Sequence, residues 1–508
     1  MKSRRENHLT ETAVSTRTDY GLAHWMPRVL KERKKAAKGL GAEEIHDLRT
    51  ALRRCLAIED ALSEFDPHPA WKKLRNAAKK LLNGLGGLRD AQVLLELLEK
   101  LEVAKDRTGA ELRKSIEDEL DEAKKDAEGA LKKFSPNKWK AWQAELETHA
   151  NSFLPEGLEL QYVALERWQK AFERHQFAMR SRSKIGYHRT RVALKKLRYT
   201  AEIFLPAVHE KWAKEPKELQ NLLGEVHDLD VLWGKLKELG PAVSRESKSA
   251  WKSAINRERK KRLAQYAAKT SRKNSAWQRW REELPSGEKL DRAVLAELAA
   301  WSRFRTPEFF HSQQIADLAA ELFDSLEARG FAVGLPSSRA RYIVQAAALL
   351  EDAGRADGDK GHHKSSYRMI RELPAPMGWS EQEWQLAAVV ARYHRKALPQ
   401  AKHKEFRELP ASLQHATLFL AGVLRLANAF ESAPNKIRRL QVDTMLEGVV
   451  IRAYGFDGEE PLLSKLANAK HLLEIACGRP VTILPGAAGV GAALRAVPVK
   501  TKRDTAAA

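Results

Sequence analysis

From Gly21 to about Leu284, apolar residues recur at intervals of three and four, and Ala, Leu, Glu, Lys and Arg dominate. Pro and Gly fall at breaks such as Asp66–Pro69. Residues three and four apart share one helix face, so this period predicts an almost unbroken series of helices. Nothing in the region alternates as a strand would. Glu96–Phe153 is so highly charged that it reads as long, exposed helices. The character changes near Pro285–Gly287. Helices from Phe309 onward are more apolar, and Ala316–Gly330 closes on a glycine suited to a C-cap. Further helices are predicted at about 339–352, 380–394 and 411–430. Lys436–Arg452 alternates and reads as two strands, followed by a helix at about 460–475 and a strand at Val481–Leu484. The expected organisation is a polar, disordered N-terminus at 1–18, a helical domain at 19–285, a linker at 286–304, a second domain at 305–485 and a disordered tail at 486–508. The fold class is mainly α with a small β appendage.

One predicted helix stands out. In Tyr187–Tyr199, His188, Arg191, Lys195 and Arg198 fall within a quarter of the circumference, while Ala193, Leu194 and Leu197 occupy a face that can be buried. Like charges at this spacing repel by roughly 0.2–0.5 kcal/mol per pair. The stripe is therefore slightly unfavourable until a polyanion lies along it. The pattern occurs first at Ile45–Cys55, where His46, Arg49, Arg53 and Arg54 take the places of His188, Arg191, Lys195 and Lys196. Downstream of each comes a second matching block. Leu85–Leu95 aligns with Leu223–Trp233, setting Gly86 on Gly224, Asp90 on Asp228 and Val93 on Val231. Lys79, Leu81, Asn83 and Leu85 align likewise with Lys217, Leu219, Asn221 and Leu223. Two blocks in one order and nearly one spacing predict a duplication. The simplest architecture is two similar helical bundles related by a pseudo-two-fold, with both basic helices lining one groove.

Charge sharpens this picture. Across 508 residues, 89 Lys and Arg outnumber 67 Asp and Glu, a net charge of +22. That favours polyanionic partners such as nucleic acid, polyphosphate or an anionic membrane face. Cys55 and Cys477 are too few for a disulfide framework and suit a reducing cytosol. The N-terminal residues lack a signal-peptide core, and the most apolar run, Ala416–Phe430, is short and carries Arg425. It reads as a buried helix and not as a membrane span, and a cytoplasmic location is expected. Nucleic acid ranks below other polyanions. Single-strand binders interleave aromatics with cations, whereas Trp71, Trp139, Trp142, Trp277 and Trp280 sit at helix-packing spacings. Asp90 and Asp228 read as structural groups that orient cations.

The paired blocks resemble the CHAD family, helical domains named for conserved histidines. HDLRTALRR and HRTRVALKKLRY are similar to that family's histidine-headed helices, and LGGLRDAQVLL and LQNLLGEVHDLDVL to its LG–D helices. The resemblance covers 19–285 and implies an all-α domain with a basic channel that binds inorganic polyphosphate. The first half departs at Leu56, where the second has Arg198. Polyphosphate is a flexible anion without bases, and rows of Arg and Lys suit it. The candidates are His46, Arg49, Arg53, Arg54, Arg75, Lys79 and Arg89 in the first half, and His188, Arg191, Lys195, Lys196 and Arg198 in the second.

Residues 305–485 resemble the C-terminal HD-type domain of exopolyphosphatases and pppGpp phosphatases, through FFHSQQIADLAAELFDSL, AALLEDAGRADGDKGHHKSSYRMI, VVARYHRKALP and LAGVLRLANAFES. Metal-dependent HD domains use an early His, a His-Asp pair and a late Asp. Here the early His is His311, the pair is Glu351–Asp352, and the late position is Asn428. His363 and His394 stand at other recurrent positions. The resemblance implies a candidate divalent-metal set of His311, Glu351, Asp352 and His363, but two substitutions argue against hydrolysis. The strands and Gly-rich phosphate loop of an actin-like exopolyphosphatase portion are not seen in the sequence. The expectation is non-enzymatic polyphosphate binding, with no catalytic residue and no required cofactor, in association with polyphosphate granules. The alternatives, in order, are a metal-dependent phosphohydrolase acting on polyphosphate or a phosphorylated nucleotide, and a nucleic-acid binder.

Overall fold

The computed structural model describes residues 21–101, 106–240, 243–271, 273–331, 334–432, 437, 439–445, 448–456 and 462–486. The expected N-terminus at 1–18 and the tail from 487 onward lie outside them. The chain divides into two units, Met1–Glu297 and Leu298–Ala508. Among the described residues the secondary structure is helical apart from one three-stranded sheet.

The first unit begins with α1 (Leu22–Gly39), α2 (Ala42–Leu62), α3 (Pro69–Gly84), α4 (Gly86–Lys100), α5 (Arg107–Lys133) and α6 (Pro136–Asn151). A second series follows: α7 (Leu158–Ser181), α8 (Lys184–Phe204), α9 (Pro206–Trp212), α10 (Glu215–Glu238), α11 (Arg245–Thr270) and α12 (Ala276–Glu282). The expected linker is itself helical, as α13 (Glu288–Arg303). Local chemistry sets these boundaries. Pro69, Pro136 and Pro206 start helices where no amide hydrogen is needed. Arg182 turns left-handed at φ 51° to close α7, and the next residue, Ser183, opens α8 by accepting a hydrogen bond from the Gly186 amide at 3.0 Å.

Packing follows the duplication. α1 lies on α2 as α7 lies on α8, and α4 packs on α5 as α10 packs on α11. The equivalent helices of the two halves, α2 with α8 and α4 with α10, also touch, an arrangement compatible with a pseudo-two-fold relation. A shared core joins the halves: Leu94, Leu98, Leu112 and Ile116 meet Leu229, Leu232, Leu236, Trp251 and Ile255. Burying such side chains contributes about 1.5–3 kcal/mol each.

The second unit contains α14 (Phe309–Glu327), α15 (Ser337–Leu350), a 3₁₀ turn (Ala353–Asp357), α16 (His362–Glu372), α17 (Glu381–Arg392), α18 (Lys404–Arg407) and α19 (Ala411–Glu431). Then come β1 (Arg439–Met445), β2 (Gly448–Tyr454), α20 (Leu462–Cys477) and β3 (Val481–Pro485). α14 ends at Glu327, and Gly330 turns the chain away at φ 88°. β1 pairs antiparallel to β2, with Val442 opposite Ile451, and β3 joins β2 in parallel, with Ile483 opposite Ile451. α19 is buried on nearly every face, which explains the apolar run seen in the sequence. Its Arg425 is no anomaly: the guanidinium donates to the carbonyls of Tyr393, Lys396 and Ala397 at 2.7, 3.0 and 2.8 Å, holding the turn after α17. No described helix is long and apolar enough to cross a membrane.

Candidate functional site

α2 and α8, the two histidine-headed helices, pack against each other. Their apolar faces, with Leu48, Ala51, Leu52 and Cys55 on one and Leu194 and Leu197 on the other, are buried. The cations of both stripes meet along the seam. Lys195 shows it most plainly: burial, then the charges of Arg53, Arg191, Arg49 and Arg198, push its ammonium down to about 6. Two of those four guanidiniums come from α2 and two from α8. Arg49 is lowered to about 10 by burial and by Arg53. Arg53 is lowered by burial, an effect opposed by Tyr199 and reinforced by Arg191.

The structure sorts the candidate cations into two sets. Arg54 and Arg198 both pair with Glu202, Arg198 at 3.0 Å. Lys196 pairs with Asp60 at 2.9 Å, and Arg75 with Glu59 at 2.5 Å. Arg89 has only a long contact to Glu96, at 3.4 Å. By contrast, no acid among the described residues lies within ion-pair distance of Arg49, Arg53, Arg191, Lys195 or Lys79. Arg49 donates instead to the Leu82 carbonyl at 3.1 Å. Four uncompensated cations are thus gathered from two helices whose sequences are far apart. Such crowding is costly alone and would be relieved by an anion laid along it.

The heads of the stripes are equivalent too. His46 is largely exposed, and partial burial and the charge of Arg89 lower its pKa. His188 is lowered by burial and by His227, whose ring lies 4.8 Å away. His227 occupies the place of Arg89 in the second half, and sequence reasoning overlooked it. The alignment that set Asp90 on Asp228 already placed Arg89 on His227. Asp228 is pushed up to about 6 by burial, with Arg191 opposing. Asp90 in turn favours the charged forms of Arg49 and Arg53. Both acids lie near enough to the cations for their charges to be felt there.

In the second unit the expected metal set does not come together. His311 Nδ1 lies 3.2 Å from Glu431. Asn428 donates to both carboxyl oxygens of Glu351, at 2.8 and 2.9 Å. Burial, then the charge of Asp352, lifts Glu351 well above the ordinary carboxylate range. The two departures from the HD pattern therefore satisfy each other through hydrogen bonds. His363 is buried, its Nδ1 lacks a hydrogen-bond partner, and burial with Arg392 lowers it to about 4. Among the described residues, the one member of that set in a convergent group of metal-ligating side chains is Asp352, and its partners are His362 and His394. His362 opens α16, so the adjacent His363 points elsewhere, their rings lying 88° apart.

Residues 22–237 match the model of the CHAD domain, and residues 303–447 match that of the Ppx/GppA phosphatase, domain III. No curated protein matches the chain significantly.

Proposed function

We propose that this chain, a CHAD domain followed by a Ppx/GppA phosphatase domain III, binds inorganic polyphosphate along the α2–α8 seam without hydrolysing it. The observation that carries the reading is the gathering of Arg49, Arg53, Arg191 and Lys195 with no carboxylate among the described residues in ion-pair reach. A linear chain of phosphates supplies one charge after another to such a row, and Arg can grip it through two parallel donors. The seam offers few exposed aromatic faces for bases: Tyr187 and Tyr199 are buried. That supports a ligand without bases over single-stranded nucleic acid. Two domains whose families both concern phosphate polymers or phosphorylated nucleotides support the same reading, and recruitment to polyphosphate granules follows from it. The test is competition on the full chain. Long-chain polyphosphate should displace single-stranded RNA at far lower phosphate concentration than the reverse, with no phosphate released in Mn²⁺ or Mg²⁺. Equal competition, or steady phosphate release, would overturn the proposal.

A further inference from the structure

A buried cluster in the second unit takes no part in that reading. Asp352 follows α15, His362 is the first residue of α16, and His394 lies in the turn closing α17. All three are buried. His362 Nδ1 lies 3.0 Å from the Asp359 carbonyl oxygen, and His394 Nδ1 2.8 Å from that of Ala391. A carbonyl only accepts, so each Nδ1 carries the hydrogen; burial disfavours the charged form of both rings, and each neutral ring then turns an Nε2 lone pair toward the other. The two Nε2 atoms are 3.3 Å apart, and Asp352 Oδ1 is 3.1 Å from that of His362. Three electron-rich atoms thus converge on one buried point, and their mutual repulsion is offset only from the edge, by the guanidiniums of Arg355 and Arg395.

We propose that Asp352, His362 and His394 hold one divalent transition cation. Metal–ligand bonds of about 2.0–2.1 Å at tetrahedral angles separate ligand atoms by roughly 3.3 Å, close to the spacing found. Two imidazoles and one carboxylate suit Zn²⁺, Mn²⁺ or Fe²⁺, whereas Mg²⁺ and Ca²⁺ favour oxygen. Hydrogen bonds from the far ring nitrogen to backbone carbonyls are the usual support for such ligands. Each ligand is also fixed from behind. The Gly354 amide donates to Ser366 Oγ at 2.9 Å, and that hydroxyl donates to the Glu351 carbonyl at 2.5 Å, which pins the turn carrying Asp352 onto α16. A Cβ on Gly354 would meet the His362 carbonyl oxygen at 2.5 Å, so the close approach requires glycine. Arg425 holds the turn carrying His394. The guanidiniums of Arg355 and Arg395 stand at the rim, 3.1 Å from Asp352 and 3.5 Å from His362. Three protein ligands leave a tetrahedral cation one position for water or an anionic oxygen.

The experiment uses the full chain, stripped with a chelator and dialysed against Zn²⁺ or Mn²⁺. Elemental analysis should count one equivalent. His362→Ala and His394→Gln should each weaken binding about 100-fold or more, while His311→Ala stays near the parent. Co²⁺ in the unaltered protein should show the visible bands of a tetrahedral nitrogen–oxygen centre, a readout independent of how the variants fold. Absence of stoichiometric binding, equal loss in His311→Ala, or a His362 imidazole Nε2 resonance unchanged by added metal in nitrogen NMR would overturn the proposal.

Discussion

Arg53 of α2 and Lys195 of α8 are neighbours across the helix seam, and the charge of Arg53 follows only burial in holding the Lys195 ammonium down. Lys196, one residue on, is neutralised by Asp60 at 2.9 Å. Adjacent lysines are therefore differently placed: Lys196 is braced by Asp60, whereas no acid among the described residues pairs with Lys195. Charge-assisted hydrogen bonds contribute about 1.5–3 kcal/mol, so Arg53→Gln and Arg191→Gln should each weaken polyphosphate binding roughly tenfold or more. Lys196→Gln should change it less than about threefold. Calorimetric titration of the three variants checks the ranking, and equal losses would contradict it.

Binding should take up a proton. With Lys195 near 6 in the free protein against 10.5 ordinarily, its amine is largely neutral at pH 7.5. A polyanion restores the charged form, so affinity should fall as pH rises from 6. Folding has the opposite sign: between about 6 and 10.5 the unfolded chain binds this proton and the folded chain does not, so stability rises with pH in that window. Titrations in buffers of different ionisation enthalpy at pH 7.5 should report close to one proton taken up, and Lys195→Met should take up about one fewer.

Asp60 braces α2 against α7 and α8. It accepts from Arg167 at 3.0 Å and from Lys196 at 2.9 Å. Burial works against its charge, but Arg167 and Lys196 prevail and hold it below the usual carboxylate range. Asp60→Ala would leave Arg167 buried with only Thr200 as a hydrogen-bond partner, at a cost of about 2 kcal/mol in denaturant unfolding. Because the folded pKa is depressed, this stabilisation is present above the unfolded value of about 3.9 and is lost as pH falls through the folded one. The variant should lack that part of the acid dependence.

Gly422 lets α19 and α20 touch through their backbones. A Cβ there would lie 2.8 Å from the Leu473 amide nitrogen and 2.9 Å from its Cα. Neither helix backbone can yield cheaply, so Gly422→Ala should destabilise the second unit by about 1–3 kcal/mol. Scanning calorimetry should show its transition lowered by roughly 2–10 °C.

Much of the first unit was legible because it is written twice. The repeated blocks place α2 with α8 and α4 with α10, and a third repeat lay unread at the same offset: Trp139 and Trp142 of α6 stand where Trp277 and Trp280 stand in α12. Pairing across helices was not legible. That Glu202 neutralises Arg54, or Asp60 Lys196, depends on which acid a neighbouring helix presents, and no window of one helix contains that information. The HD-type region misled for a related reason. Family positions drew attention to His311 and Glu351, yet in this chain Glu431 and Asn428 engage them. Which of His362 and His363 turns inward depends on where α16 starts, a matter of helix phase set by Gly361 in a left-handed turn at φ 84°.

The most direct measurement is the salt dependence of long-chain polyphosphate binding by the full chain and by the double variant Arg53→Gln/Arg191→Gln. Each phosphate contact releases counterions, so affinity should fall steeply between low and moderate salt. Removing two contacts should lower the logarithmic slope by roughly 1–2. An unchanged slope and affinity in the double variant, or no salt-sensitive binding by the parent protein, would contradict the assignment of the α2–α8 seam.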